Sequence, residues 1–324
     1  MRVHAHSPEP GCVLTFEIWE DAVSRAPDVA DGHVVSFGST PESLAAVLPE
    51  VELLVCVGAG PPIPLPAKAP RLRLVFCTFA GVDSLMPLDW LPADAVLLNN
   101  SGAHAPKAGE FAIMSLLMLA SHVPALVADQ AAQRWEQRTG TLLAGRRLTV
   151  VGLGSLGGES ARRAKQFGMH VTGIRVRPAP HPCCDQVAGA AALDDMLPAT
   201  EFLLLACPLT TANRHLLDAR RIGLLPRGAF VINIGRGGLV EQDALCDALD
   251  AGLLGGAVLD VVSPEPVPQG HRLWRTANLL VTPHISSYDR NAILPRSLDV
   301  LMRNLRAMRD GQTMPNLVDK VRGY

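Results

Sequence analysis

The sequence predicts an α/β protein built on two doubly wound parallel sheets. Short apolar runs alternate with amphipathic segments along the whole chain, which is typical of strand–helix units in a parallel sheet. The chain has 324 residues, enough for two domains that each bury a core of their own. The candidate strands fall into two series, an early one and one that starts near Arg147.

The first series contains candidate strands with the sequences HVVSFG (33–38), ELLVCVG (52–58), LRLVFCTF (72–79) and AVLLNN (95–100). A helix is expected after the first of them, because Thr40 is a favourable N-cap and Pro41 suits the first helical position. We interpret the proline-rich segment at 60–70 as an ordered loop, too short to link two domains.

The second series has helical spacers and enough strands for a complete doubly wound sheet. Its candidate strands are LTVVGLG, HVTGIRV, EFLLLACPL, GAFVINIGRG, GAVLDVV and NLLVTPH. A final helix is predicted in RSLDVLMRNLRAMRDG, where apolar residues recur at helical spacing at Leu298, Leu301, Met302 and Leu305.

The longest apolar stretch, FAIMSLLMLASHVPALVA from Phe111, approaches the length of a membrane span. It contains His122 and Pro124 and directly follows Glu110, so we expect one long buried helix, starting near Ala105, instead of a span. The formal net charge of -2 gives no field that would attract nucleic acid or an anionic membrane.

Composition predicts a packed globular protein, since 48% of the residues are hydrophobic and 19% are charged. The start of the chain lacks the apolar core of a signal peptide. The 7 cysteines have no metal-ligand spacing and several lie in apolar runs, which favours buried thiols in a reducing compartment. We therefore expect a soluble, cytoplasmic protein that needs no metal.

A glycine-rich turn follows the first strand of the second series. Gly152 permits a tight turn, Gly154 lets the backbone approach a pyrophosphate, and Gly157 lets helix and strand pack closely. Ser155 and Leu156 complete the pattern at the N-terminus of the next helix, which would face the phosphates. The glycines alone are weak support, but strand, helix and second strand all follow in order. The pattern therefore predicts a Rossmann-type dinucleotide-binding domain.

The second strand of this unit ends in arginines. NAD-binding domains carry an acidic residue here for the ribose hydroxyls, yet no Asp or Glu occurs between Gly168 and Arg177. Arg175 and Arg177 can instead bind a 2′-phosphate, because a guanidinium offers a planar fork of donors. The alternative is that both are solvated loop residues. We favour NADP over NAD as the cofactor.

Polar side chains follow the last strands of the second series. Arg236 comes after VINIG, Asp260 and Glu265 lie at and after AVLD, and His284 follows NLLVTP. The ligand crevice of an open α/β sheet lies at the carboxyl ends of its strands, so Arg, Glu and His could converge there. Separately, each has a structural alternative: a loop ion pair, a solvated turn residue, and a helix-cap or buried histidine.

These ordered motifs resemble the D-isomer-specific 2-hydroxyacid dehydrogenases, a family that includes glyoxylate/hydroxypyruvate reductases and D-3-phosphoglycerate dehydrogenases. The resemblance runs through FAGVDSL, NNSGAHAPKAGEF, the glycine turn, CPLTTANRHLL, NIGRGGLV, LDVVSPEP and TPHIS. It implies reduction of a small 2-keto acid by hydride transfer. Arg236 would bind the substrate carboxylate and polarise the carbonyl, His284 would donate the proton, and Glu265 would orient His284 and favour its protonated form.

The resemblance also implies further contacts. The amides of Ala80 and Gly81 would cradle the substrate carboxylate, and Asp260 would hold the nicotinamide carboxamide. The walls of the cofactor cleft would be Cys207, Pro208 and Ile234.

The same family implies that the Rossmann domain, residues 104–285, is inserted in a flavodoxin-like substrate domain made of residues 1–103 and 286–324. The long helix after Glu110, with Trp135 in a loop beyond it, resembles the family's dimerisation region, so we expect a homodimer.

Some residues depart from the family pattern. Where the family commonly has N-x-x-x-V-A-E, this chain has HAPKAGE, with His104 and Lys107. These positions lie near the hinge and the substrate mouth, which leaves the substrate and the extent of domain closure open. Ser286, Ser287 and Tyr288 follow the histidine and are candidates to line the pocket. Two other functions stay open: a family member acting on another small anion such as formate or phosphite, and a nicotinamide-sensing interaction protein without turnover.

Overall fold

The computed structural model describes residues 1–320, which fold into two compact units. Met1–His104 and the described residues from Asp289 onward form the first unit, and Ala105–Tyr288 forms the second. The second unit is thus an insertion in the first. The boundaries lie one and three residues later in the chain than the sequence motifs suggested.

The first unit contains a parallel five-stranded sheet in the order β2-β1-β3-β4-β5. This is the strand order of flavodoxin-like sheets. Its strands are β1 (Arg2–His6), β2 (Val34–Gly38), β3 (Leu53–Cys56), β4 (Leu74–Cys77) and β5 (Val96–Leu98).

Strand β1 was not predicted from the sequence, because one of its faces is polar. Val3 and Ala5 join the apolar core, whereas His4 and His6 lie on the opposite face and are buried as well. Burial, together with the neighbouring His6, lowers the pKa of His4 to about 4. The ring is therefore neutral at pH 7 and tolerates the interior.

Helices cover both faces of the first sheet. They are α1 (Phe16–Arg25), α2 (Pro27–Ala30), α3 (Pro41–Val47) and, after the chain returns from the second unit, α10 (Ile293–Arg309). Thr40 caps α3 by accepting a hydrogen bond from the backbone of Ser43, as its sequence predicted. Helix α10 packs against α1 and α2 and buries all four apolar residues that its spacing identified.

The second unit contains a parallel seven-stranded sheet in the order β12-β11-β10-β9-β6-β7-β8. The order reverses between β6 and β9, which is the topological switch point of a Rossmann fold. Its strands are β6 (Arg147–Val151), β7 (His170–Arg175), β8 (Gln186–Gly189), β9 (Phe202–Leu205), β10 (Ala229–Asn233), β11 (Leu254–Leu259) and β12 (Leu279–Val281). The sequence predicted all of these strands except β8, a short edge strand with little apolar surface.

The helices of the second unit pack on the two faces of this sheet. They are α4 (Ala105–Ala120), α5 (Val123–Ala131), α6 (Ser155–Gln166), α7 (Leu193–Met196), α8 (Ala219–Ile222) and α9 (Gln242–Asp250). Central strands are buried on both faces, as a parallel sheet requires.

The prediction of one long helix from Ala105 was wrong. The chain bends by 64° between α4 and α5, and His122 at the break adopts a left-handed conformation with φ 54°. Pro124 has no N–H for the carbonyl of Ala120, which accepts the N–H of Thr141 at 3.0 Å instead. Over residues 1–320, no single helix is long and apolar enough to cross a membrane, and only the bent pair α4 and α5 meets both criteria together.

Candidate active site

The glycine turn joins β6 to α6 at the carboxyl edge of the second sheet. Gly152 has φ 96°, and a Cβ there would lie 2.8 Å from the backbone of Cys207. A Cβ on Gly157 would lie 1.8 Å from the carbonyl oxygen of Gly152. Only glycine fits at these two positions, so the helix approaches the turn as closely as the sequence pattern implied.

The N-terminus of α6 suits a diphosphate. Its N-cap residue is Gly154, which has no side chain to cover the end of the helix. The first turn of α6 has no acidic residue. A Cβ on Gly154 would meet no atom within 4 Å, so the space in front of the turn is open. Exposed helix N–H groups and the positive end of the helix dipole favour an anion there. The residues present therefore fit a dinucleotide.

Two arginines lie at the same edge, Arg175 as the last residue of β7 and Arg177 just after it. Arg175 is half-buried and Arg177 is exposed. Within residues 1–320, neither guanidinium forms an ion pair or a hydrogen bond with another side chain. Both guanidinium groups can therefore meet an anion without first breaking an internal ion pair.

Arg236 lies in a turn that follows β10. The buried side chain of Asn233 donates to the carbonyl of Arg236 at 2.9 Å and accepts from the N–H of Gly235 at 3.1 Å. The Arg236 guanidinium donates to the carbonyl of Gly235 at 2.8 Å. Asn233 therefore fixes the backbone that carries Arg236. The sequence analysis missed it, although its place between an apolar strand and the glycines was a usable signal.

Glu265 and His284 are in direct contact. The Nδ1 atom of His284 lies 2.9 Å from Oε2 of Glu265, and Oε1 of Glu265 accepts the N–H of Val262 at 3.0 Å. The His284 side chain is 47% exposed, so the imidazole is open to a ligand. Since Glu265 occupies Nδ1, the other ring nitrogen, Nε2, is the one that remains for a ligand.

Asp260 holds the backbone of the segment that contains His284. The residue is 1% exposed, and its carboxylate accepts three hydrogen bonds, from the Thr282 hydroxyl at 2.6 Å, the Ile285 N–H at 2.8 Å and the Ser286 N–H at 2.9 Å. The carbonyl of Asp260 also accepts the N–H of His284 at 2.9 Å. This positioning function was not predicted from the sequence.

Cys207, Pro208 and Ile234 lie at the ends of β9 and β10, between the glycine turn and the Arg236 turn. Burial raises the pKa of the Cys207 thiol to about 11, so the thiol is neutral at pH 7. The side chain of Asn213 donates to the carbonyl of Pro208 at 2.8 Å and orders this segment. Cys207, Pro208 and Ile234 therefore bring no charge to this part of the sheet edge.

The predicted substrate contacts Ala80 and Gly81 lie in the first unit, in the loop after β4. His104 ends that unit, with its Nε2 atom 3.4 Å from Nδ2 of the buried Asn100. Lys107 belongs to the second unit, in the first turn of α4. Of the residues after His284, Ser286 is buried and Tyr288 is exposed.

The two glycines of the turn predict different effects of the same substitution. Gly154→Ala should leave the melting temperature unchanged, because its methyl group meets open space, but should weaken NADPH binding at least about tenfold by blocking the close approach of the diphosphate. Gly157→Ala should lower the melting temperature by about 5 °C or more through overpacking. Thermal melting and titration of NADPH by calorimetry measure both effects. Equal behaviour of the two variants would contradict this assignment.

Comparison with known proteins identifies the family of the chain. The family model for the NAD binding domain of D-isomer specific 2-hydroxyacid dehydrogenases matches residues 113–286. A hydroxypyruvate reductase from Thermotoga maritima is 30% identical over 251 residues, covering 76% of this chain and 81% of that protein. The chain also spans 46% of the chloroplastic D-3-phosphoglycerate dehydrogenase 2 of Arabidopsis thaliana, at 29% identity. The chain thus spans about half the length of that larger relative.

Solved structures agree over the whole chain. A D-isomer specific 2-hydroxyacid dehydrogenase from Xanthobacter autotrophicus Py2, in complex with NADPH and MES, is 30% identical with a TM-score of 0.83, covering 100% of this chain and 99% of that one. The NADPH-dependent glyoxylate/hydroxypyruvate reductase of Sinorhizobium meliloti, in complex with NADP and sulfate, is 27% identical with a TM-score of 0.82 and the same coverage. The chain therefore belongs to the D-isomer specific 2-hydroxyacid dehydrogenases and is an NAD(P)-dependent oxidoreductase acting on CH–OH groups.

Proposed function

We propose that this enzyme reduces a small 2-keto acid of the glyoxylate or hydroxypyruvate type, with NADPH as the preferred cofactor. The observation that carries the proposal is the contact between His284 and Glu265, which leaves Nε2 of an exposed histidine for substrate at the sheet edge where Arg236 also lies. The reductases of Thermotoga maritima and Sinorhizobium meliloti support this substrate class.

In this proposal Gly152, Gly154 and Gly157, with Ser155 and Leu156 in the first turn of α6, hold the diphosphate. Arg175 and Arg177 receive the 2′-phosphate. The reduced nicotinamide, when bound, supplies the hydride. In this proposal Cys207, Pro208 and Ile234 are the walls of the cofactor cleft. Asp260, besides holding the His284 segment, accepts a hydrogen bond from the nicotinamide carboxamide.

In this proposal Arg236 binds the substrate and His284 is the proton donor. The Arg236 guanidinium binds the carboxylate of the keto acid and attracts the negative charge that develops on the carbonyl oxygen. As the carbonyl carbon gains the hydride, His284 donates the proton on Nε2 to the oxygen, which gives the 2-hydroxy acid. Glu265 keeps the ring in place through Nδ1.

Loss of the histidine should abolish proton transfer. We expect His284→Ala to lower kcat for NADPH-dependent glyoxylate or hydroxypyruvate reduction by about 10²- to 10⁴-fold, and Glu265→Gln to lower it by about tenfold or more. NADPH binding should persist, because the glycine turn is untouched. Stopped-flow and steady-state absorbance at the NADPH band measure the rates.

The matched control is His170→Ala, an exposed histidine at the opposite, amino end of β7. Full turnover in His284→Ala would refute the proposed acid. No turnover with either keto acid in the unmodified enzyme, despite tight NADPH binding, would favour another small anion or the sensing alternative.

Replacing Arg175 should change the preference of the enzyme for NADPH over NADH. Charge-assisted hydrogen bonds to a phosphate contribute about 1.5–3 kcal/mol, so Arg175→Ala should lower kcat/KM for NADPH by about 10- to 100-fold and leave that for NADH nearly unchanged. Arg227→Ala, an exposed arginine before β10 at the other edge, is the control. If Arg175→Ala reduced both values equally, the 2′-phosphate assignment would be wrong.

We also propose a homodimer, located in the cytoplasm. The 7 cysteines are all free thiols, which suits a reducing compartment, and cell fractionation tests the location. Helices α4 and α5 and the loop after them expose apolar side chains that a symmetric partner would cover: Met114, Leu117, Leu126, Val127, Trp135 and Leu142.

Disrupting that apolar surface should separate the subunits. Val127→Asp should shift the mass measured by light scattering from a dimer to a monomer, because a buried unpaired carboxylate is costly in an interface. Leu253→Asp, an exposed apolar residue elsewhere in the second unit, should stay dimeric. A monomer mass for the unmodified protein at all concentrations would disprove the dimer.

A further inference from the structure

The side chain of Gln242 pairs with the backbone of Ser263. Its Nε2 atom donates to the carbonyl oxygen of Ser263 at 2.6 Å, and its Oε1 atom accepts the N–H of Ser263 at 2.8 Å. One amide thus satisfies both polar groups of one residue, as a neighbouring strand would. This arrangement needs a side chain that both donates and accepts, which glutamine provides and glutamate at neutral pH does not.

Ser263 belongs to the short segment that carries Glu265. This segment is exposed from Ser263 to Pro266, and its prolines have no N–H to donate. At one end, Glu265 itself accepts the N–H of Val262. The Gln242 pair is therefore a main restraint on the backbone between Val262 and Glu265.

Gln242 is anchored on the peptide segment that contains Arg236. It is the first residue of α9, six positions after Arg236 along the chain. Between them, Gly237 approaches the Glu265 segment so closely that a Cβ would lie 2.0 Å from the carbonyl oxygen of Val262. Gln242 thus ties the backbone of Ser263, two residues before Glu265, to the start of α9.

We propose that Gln242 is a positioning residue, which acts on the reaction by holding Glu265 against Nδ1 of His284. The inference rests on the proposed roles of Glu265 and His284. A small displacement of an orienting carboxylate moves the imidazole relative to the substrate, and a misplacement of 1 Å in an active site can cost about 10²-fold in rate. Asp260 is a further charged group beside His284 and holds the backbone of the histidine segment through its carboxylate and its carbonyl.

A double-mutant cycle tests the proposal. Gln242→Ala should lower kcat about tenfold with NADPH and keto acid saturating, and should leave KM for NADPH within about twofold. In the Glu265→Gln background, the same substitution should change kcat by less than about twofold, because the group that Gln242 positions is already lost. Gln242→Glu should resemble Gln242→Ala, since its carboxylate meets the Ser263 carbonyl. Gln269→Ala, an exposed glutamine in the loop beyond, is the control and should have full activity.

The outcomes distinguish a failure of the role proposed for Gln242 from a failure of the proposed function. Equal loss of kcat from Gln242→Ala in both backgrounds, or no loss in the first, would overturn the proposal while leaving the function intact. Full activity of Glu265→Gln alone would remove the proposed role of Glu265 and the inference with it. Thermal melting accompanies each variant, and if Gln242→Ala does not fold, the isosteric Gln242→Glu supplies the same cycle.

Discussion

The buried carboxylate of Asp260 is the interaction on which the candidate site depends. A carboxylate withdrawn from water is stable only where donors replace its hydration, and here a hydroxyl and two backbone N–H groups do so. All of these donors belong to the segment around His284. The same contacts that satisfy the charge therefore fix the backbone of the histidine, which has a left-handed conformation with φ 55°. A non-glycine residue keeps such a conformation when its surroundings impose it.

Close backbone contacts bring the other parts of the site to one sheet edge. Strands β6, β9, β10, β11 and β12 run parallel, so the segments after them all emerge on the same side. The glycine turn approaches Cys207, and Gly237 approaches Val262, at distances that exclude a Cβ. Side-chain amides then hold the turns in place, with Asn233 at the Arg236 turn and Gln242 at the Glu265 segment. Neutral amides and glycines thus hold the segments of Arg236 and Glu265, whereas the Asp260 carboxylate holds the segment of His284.

The two strands that sequence analysis missed share one physical cause. Strand β1 carries His4 and His6 on one face, and β8 is a short edge strand, so neither has the apolar run that marks a buried strand. The break between α4 and α5 was missed for the opposite reason, since apolar character continues through His122 and Pro124. The hydrophobic pattern of a sequence predicts which residues are buried more reliably than it predicts where a helix loses a backbone hydrogen bond and breaks.

The sequence by itself determined the two parallel sheets, the dinucleotide-binding turn and the family, because strand periodicity, glycine spacing and ordered motifs are local properties of the chain. It also identified Arg236, Glu265 and His284 as candidates, since each follows a strand of the same predicted sheet. The family resemblance also implied that Glu265 orients His284. Tertiary structure alone decided that this contact is made at Nδ1, that Asp260 holds the histidine segment, and that Gln242 pairs with Ser263. These contacts join residues 19 to 26 positions apart, and only the packing of neighbouring strands sets such distances.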